Sequence, residues 1–385
     1  MRTPTGSSRE GLTSKVPDRL KVEYIERVDI DTPPLPDQFD SSHIRRSLIA
    51  VAVIVLVVAA AVVLLPGLGS LRARFAGAQP GWLGVAVVLQ ILSCASYVLA
   101  FRVVFCRRMS WTTSAEIGLA ELAANSLFSV GGAGGLALGA WILNRGGVDR
   151  GHIARRTVAF FLITSLANVG FLALAGVLLA AHVLPGSPGA LYGLLPAAVG
   201  FAAIGGALGA RPLSHRIARR VKSERVERAL TALGDGVSEA LHLLRTRQPA
   251  LGIGAAGYML FDVAVLGVCF TAFGNDVPPL GVLLLAYLIG QLGGLLPIPG
   301  GIGGVDGGLI GTLVLYGVSA TDAAVAVLAY RGILLAVPAL LGLPALAILR
   351  RRLQTEAHDI AVCSPGQEVD VLGRGSVAPF RTLSP

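Results

Sequence analysis

Charge is what this sequence has least of. Only 14% of its 385 residues are Asp, Glu, Lys or Arg, against about 25% in an ordinary soluble domain. Lysine is nearly missing, since of 32 basic residues only Lys15, Lys21 and Lys222 are not Arg. Cysteine is scarce as well. Cys94, Cys106, Cys269 and Cys363 show no CxxC spacing and three of them lie in or beside apolar runs, so neither a disulfide framework nor a metal site is expected. The six His residues are scattered, without HExxH or paired-ligand spacing. GxSxG, a P-loop and a carboxylate pair on one face are all lacking, and no polar segment is long enough for a catalytic domain. Enzyme chemistry and a cofactor are therefore not expected.

What the sequence has in quantity is uninterrupted apolar chain. Hydrophobic residues make up 54%, and they come in blocks at 47–66, 82–106, 157–181, 189–209, 249–273 and 322–349. Each is close to the roughly 20 residues that an α-helix needs to cross a bilayer. Porin-type strands would instead alternate in polarity over stretches of about ten residues. The expectation is an all-α polytopic membrane protein with about six full spans. The net charge of +9 sits between the spans: 211–247 holds nine Lys/Arg against four Asp/Glu, and Arg350, Arg351 and Arg352 follow the last block. Short basic loops stay in the cytoplasm, so the positive balance reports topology, and no nucleic-acid partner is expected.

Counting basic residues places both termini and 211–247 in the cytoplasm, and 182–188 and 274–279 outside. The first apolar block starts too late and runs too long for a cleavable signal. Residues 1–42, with eight acidic and six basic side chains and no apolar periodicity, and residues 353–385 read as disordered cytoplasmic tails. Residues 43–352 form the transmembrane domain. Inside 211–247, the residues Val226, Leu230, Leu233, Val237, Ala240 and Leu244 form an apolar helical stripe, which fits a helix lying on the membrane or folded on its own bundle.

Two stretches are too long for one crossing and begin and end on the same side. The first, 113–143, is interrupted at Gly131, Gly132, Gly134 and Gly135. The second, 280–319, is interrupted at Pro297, Pro299, Gly300, Gly301, Gly303 and Gly304. Each is expected to be a hairpin, either re-entrant or made of two short helices. Irregular backbone at membrane depth is tolerated where it is buried in protein or lines a cavity. The two glycine clusters match at an offset of 169, and Gly147-Val148 and Ala159-Phe160 match Gly317-Val318 and Ala329-Tyr330 at 170. Each half therefore reads span, broken hairpin, span, with the halves inverted, an arrangement that points to a central transport site. Close helix packing is the other use of such glycines.

Ionisable residues at membrane depth are costly and hence functional candidates. They are Arg331, Asp306, Asp262 and Glu121, with Glu116 beside them and Asn125 one helical turn from Glu121. Asp306 is placed to cap the helix it opens or to bind a head group. Arg331 stays charged and suits phosphate; its alternative is a structural ion pair with Asp306 or Asp262. Asp322 reads as a helix cap.

Pro297-x-Pro299-Gly300-Gly301-Ile302-Gly303-Gly304-Val305-Asp306-Gly307, followed by Gly317-Val318, Ala329-Tyr330-Arg331 and Pro338, resembles the C-terminal signature of the lysylphosphatidylglycerol synthase transmembrane-region family of flippase-like proteins. The resemblance spans roughly 45–350. It implies a stand-alone lipid-translocating bundle, without the synthases' cytosolic domain, in a bacterial plasma membrane. The expected partner is a membrane lipid, anionic or polyprenyl-linked, with a homo-oligomer or a biosynthetic enzyme as a further one. An envelope-biosynthesis scaffold and a lipid-modifying enzyme are the alternatives. Where this chain has Asp306 the family often has Glu, and a basic residue that is common near Gly139 has no counterpart here.

Overall fold

The computed structural model describes residues 69–127, 133–185, 189–218, 223–246, 248–295, 303–361 and 363, all within the unit Asp37–Pro385. The first apolar block, 47–66, and the tail 1–42 lie outside the described residues. So do Gly131, Gly132, Pro297, Pro299, Gly300 and Gly301.

Among the described residues the chain forms eleven α-helices and no strand. A short helix α1 (Gly69–Ala76) leads into α2 (Pro80–Phe105), which has Pro80 in its first turn, where a missing N–H costs nothing. Then come α3 (Trp111–Leu127) and α4 (Ala133–Arg145). Next is α5 (Arg150–Ala180), capped by Asp149, whose carboxylate accepts from the His152 N–H at 2.9 Å. The chain continues through α6 (Ala190–Ala218), α7 (Glu224–Arg245), α8 (Pro249–Ala272), α9 (Leu280–Leu292), a single 3-10 turn (Gly293–Leu295), α10 (Gly304–Leu315) and α11 (Ala320–Ala361). Five helices, α2, α5, α6, α8 and α11, are long and apolar enough to cross a membrane. The protein is an all-α polytopic membrane protein.

Loops gather at two ends of the bundle. At one, Arg156 at the start of α5 donates to the Val104 carbonyl at 2.6 Å and pairs with Glu239 of α7 at 3.3 Å. Ile360, late in α11, covers Gly146 at the same end. At the other, the Gln79 N–H donates to the Ala272 carbonyl at 2.8 Å, and Phe75 meets Phe273 edge-on. There Arg74 of α1, a basic residue at an end that the alternation of spans puts outside, bonds Asn275 at 2.6 Å and pairs with Asp322 at 3.2 Å. Asp322 also exchanges hydrogen bonds with Ser319, as expected of a cap.

The two interrupted stretches are helix pairs. Their helices, α3, α4, α9 and α10, have 17, 13, 13 and 12 residues, or roughly 18–26 Å at 1.5 Å per residue. That is short of the roughly 30 Å hydrocarbon core. The pair α3–α4 starts and finishes at the Arg156 end, and α9–α10 at the Arg74 end. Both close with one local motif. Gly147 and Gly317 take the left-handed conformation, φ 91° and 93°, which a Cβ would disfavour. The next residue then bonds back, Val148 N to Leu143 O and Val318 N to Leu313 O, at 3.1 and 3.0 Å, satisfying otherwise orphaned carbonyls.

Three expectations are corrected. The C-terminal tail does not begin at residue 353: α11 continues to Ala361, because Leu353-Gln354-Thr355-Glu356-Ala357 is rich in helix formers that extend a helix already nucleated in the bundle. That extension brings Cys363 to Cys106, and the two form a disulfide across 257 residues, a pairing that no local spacing announces. The α7 stripe is also rotated. Val237, Ala240 and Leu243 are buried while Val226, Leu233 and Leu244 are exposed, since α7 packs on α5 through Gly236 against Val158.

Candidate functional site

Helices approach closely in this bundle because small residues face their neighbours. A Cβ on Gly254 of α8 would lie 2.8 Å from the Ala100 nitrogen of α2, and one on Gly342 of α11 would strike the Leu119 carbonyl of α3. Close to these crossings lie the helix ends that flank the two breaks. Asn125 and Ser126 at the end of α3, and Gly294 and Val305 at the break between α9 and α10, border one cavity of about 340 Å³. Asp262 and Arg331 are in its wall, with Gln90, Tyr97, Tyr258 and Tyr287.

Of the five candidate polar residues, Asn125, Asp262 and Arg331 line this cavity, while Asp306 and Glu121 do not. Arg331 of α11 is 8% exposed, and its Nε donates to Asp306 Oδ1 at 2.7 Å. Of the two partners open to it, Asp306 is the one engaged and Asp262 is not. Asp306 does both of its expected jobs, because its Oδ2 also accepts from the Gly303 N–H at 2.8 Å and so caps α10. It thereby ties the mouth of the second break to α11. Gly303 caps α10 and Gly304 is its first residue, while Gly134 and Gly135 fall inside the first turn of α4.

Asn125 takes the corresponding place in the first hairpin. Its Oδ1 accepts from the Gly135 N–H at 2.8 Å, so a side chain of α3 caps the start of α4. Glu121, one turn away on the same face, does not reach the cavity. It is buried behind Tyr97, whose hydroxyl donates to Glu121 Oε2 at 2.8 Å. Asp262, 2% exposed, accepts from Ser93 at 2.6 Å and from Tyr287 at 3.2 Å.

The 169-residue offset of the glycine clusters recurs in two contacts. Gly139 lies against Glu121 and Gly308 against Gly290, and both partners are displaced by 169 residues, the offset of the glycine clusters. Ser93 and Asp262, bonded to each other, are themselves 169 apart.

Several wall residues escape a search for charge. Thr164, Ser165 and Asn168 of α5 form a polar patch on the cavity; their signal is three polar residues within five, in the middle of an apolar run. The tyrosines and Gln90 carry no charge and merge with the apolar blocks around them. Phe161 borders the cavity yet is 49% exposed, so it marks where the cavity meets the outer surface of the bundle.

A family model described as the lysylphosphatidylglycerol synthase TM region matches residues 47–342. No curated protein and no solved structure matches the chain.

Proposed function

The chain belongs to the lysylphosphatidylglycerol synthase transmembrane-region family, and from that premise we propose that it carries an anionic or polyprenyl-linked lipid across the membrane. The observation that carries this reading is that the helix ends flanking both breaks, which belong to pairs entered from opposite ends, border one polar cavity walled by Arg331. At about 340 Å³ the cavity is at the small end of ligand sites, roughly 300–1,000 Å³, so it accommodates a head group and leaves the acyl chains in the bilayer. Phe161 is at the edge over which they would pass. Arg331 would hold the phosphate, with Asp306, Asn125 and the Thr164–Asn168 patch around the polar head. Glu121 acts behind that layer, and Asp262 is in the cavity wall.

Purified protein in liposomes tests this. Labelled phosphatidylglycerol in the outer leaflet should reach the inner leaflet many times faster than in protein-free vesicles. Equal rates in the two preparations would end the transport reading.

The Lys/Arg rule assigns the Arg156 end to the cytoplasm and the Arg74 end to the exterior. A Cys-free chain carrying Glu227→Cys or Asp276→Cys, both exposed positions, checks it. An impermeant thiol reagent on intact cells should label position 276 and spare position 227. The opposite pattern would invert the topology.

A further inference from the structure

Asp262 is a buried carboxylate with no basic partner. Four helices close on it: α2 supplies Gln90 and Ser93, α9 supplies Tyr287, α11 supplies Tyr330, and α8 carries Asp262 itself together with Tyr258. Among the described residues no Lys, Arg or His pairs with Asp262. Its carboxylate is met instead by Ser93 Oγ at 2.6 Å and by Tyr287 OH at 3.2 Å, with the Gln90 side chain close by.

Among the described residues, two polar groups around Asp262 are left without partners. The single Ser93 proton has two acceptors in reach, Asp262 Oδ1 and the Tyr258 carbonyl, at 2.6 and 3.0 Å. Gln90, 1% exposed, keeps its Oε1 without a hydrogen-bond partner among the described residues, and the fully buried Tyr330 hydroxyl has none either. A buried acceptor such as Gln90 Oε1 that lacks a donor costs free energy unless something positive reaches it. Gln90, Tyr258, Asp262 and Tyr287 all border the central cavity, so an ion has a way in.

We propose that Asp262, Gln90, Ser93 and Tyr287 form a binding site for one sodium ion. The donor set is all oxygen, which suits a hard cation. It holds one carboxylate, and among the described residues no group of three His, Cys, Asp or Glu exists, so charge balance favours a monovalent ion over calcium or magnesium. Arg331 and Asp306, on which the lipid reading rests, are not ligands. Sodium binding and lipid translocation therefore stand or fall separately.

The test uses the purified full-length chain in nanodiscs, with radioactive sodium and with thermal unfolding in sodium or choline chloride at equal ionic strength. The expected result is saturable binding of about one ion per chain and a Tm a few degrees higher in sodium than in choline. Asp262→Asn should weaken binding by more than about tenfold. Gln90→Leu removes a ligand while keeping the fold apolar, and should weaken binding even if Asp262→Asn does not fold. Absence of saturable binding by the wild type, or unchanged binding in Gln90→Leu, overturns the proposal. So does a wild type indifferent to sodium whose Tm varies with pH through Asp262 alone, because the site would then hold a proton.

Discussion

Arg331→Gln is expected to abolish lipid translocation in liposomes while leaving a folded, membrane-inserted protein of lower thermal stability. The guanidinium bonds Asp306 at 2.7 Å in the cavity wall, and removing one partner of a buried pair costs about 3–5 kcal/mol. The cost should be at the low end of that range. Asp306 keeps the Gly303 N–H as a donor and is not fully buried, with 17% of its side chain exposed. Arg331→Lys should recover transport only in part, because the planar, bidentate fork is lost while the charge stays.

The double change Arg331→Gln/Asp306→Asn separates structure from function. The carboxamide oxygen introduced by Asp306→Asn can still accept from the Gly303 N–H, so α10 stays capped, and no unpaired charge remains at the pair. Stability should return to near that of the wild type, and translocation should not. Recovery of both would make Arg331 a structural residue and remove it from head-group binding.

How far the sequence led can be judged from particular residues. Apolar length alone located α2, α5, α8 and α11, because a bilayer imposes a minimum run that few other environments demand. The hairpins were legible from the mismatch between that length and the charge pattern at their ends. Asp306 and Arg331 were legible because a charge at membrane depth is conspicuous. The same test passes over Tyr97, Ser93, Gln90 and Tyr287, which are neutral and sit inside blocks whose average is apolar. Position in the repeat would have found Ser93, since it lies one repeat length from Asp262. Cys106 and Cys363 were out of reach, because their approach depends on how far α11 runs beyond its apolar block.

Glu121 lies one turn from Asn125 on α3 but behind Tyr97 rather than on the cavity, and this position yields the second large effect. Gly139 of α4 lies directly over Glu121 Oε1, where a Cβ would overlap the oxygen. Glu121 has no room to swing. It is 1% exposed, its other oxygen is held by Tyr97 at 2.8 Å, and the Tyr97 ring is fixed edge-on between Phe160 and Tyr258 with centroids 5.2 and 5.3 Å away. Gly139→Ala must therefore force α4 off α3 and open the first hairpin, at about 1–3 kcal/mol for overpacking, read as a lower Tm in detergent. At the matching position Gly308, the added Cβ would meet the Gly290 Cα at 3.0 Å. Gly308→Ala should therefore cost less. Glu121→Ala removes the obstructing carboxylate and leaves the Tyr97 hydroxyl unpaired, a loss of about 1–3 kcal/mol by itself. In that background Gly139→Ala should be nearly neutral, because the new methyl enters the space the carboxylate left. Equal destabilisation by Gly139→Ala in both backgrounds would show that Glu121 is not what holds α4 at its distance from α3.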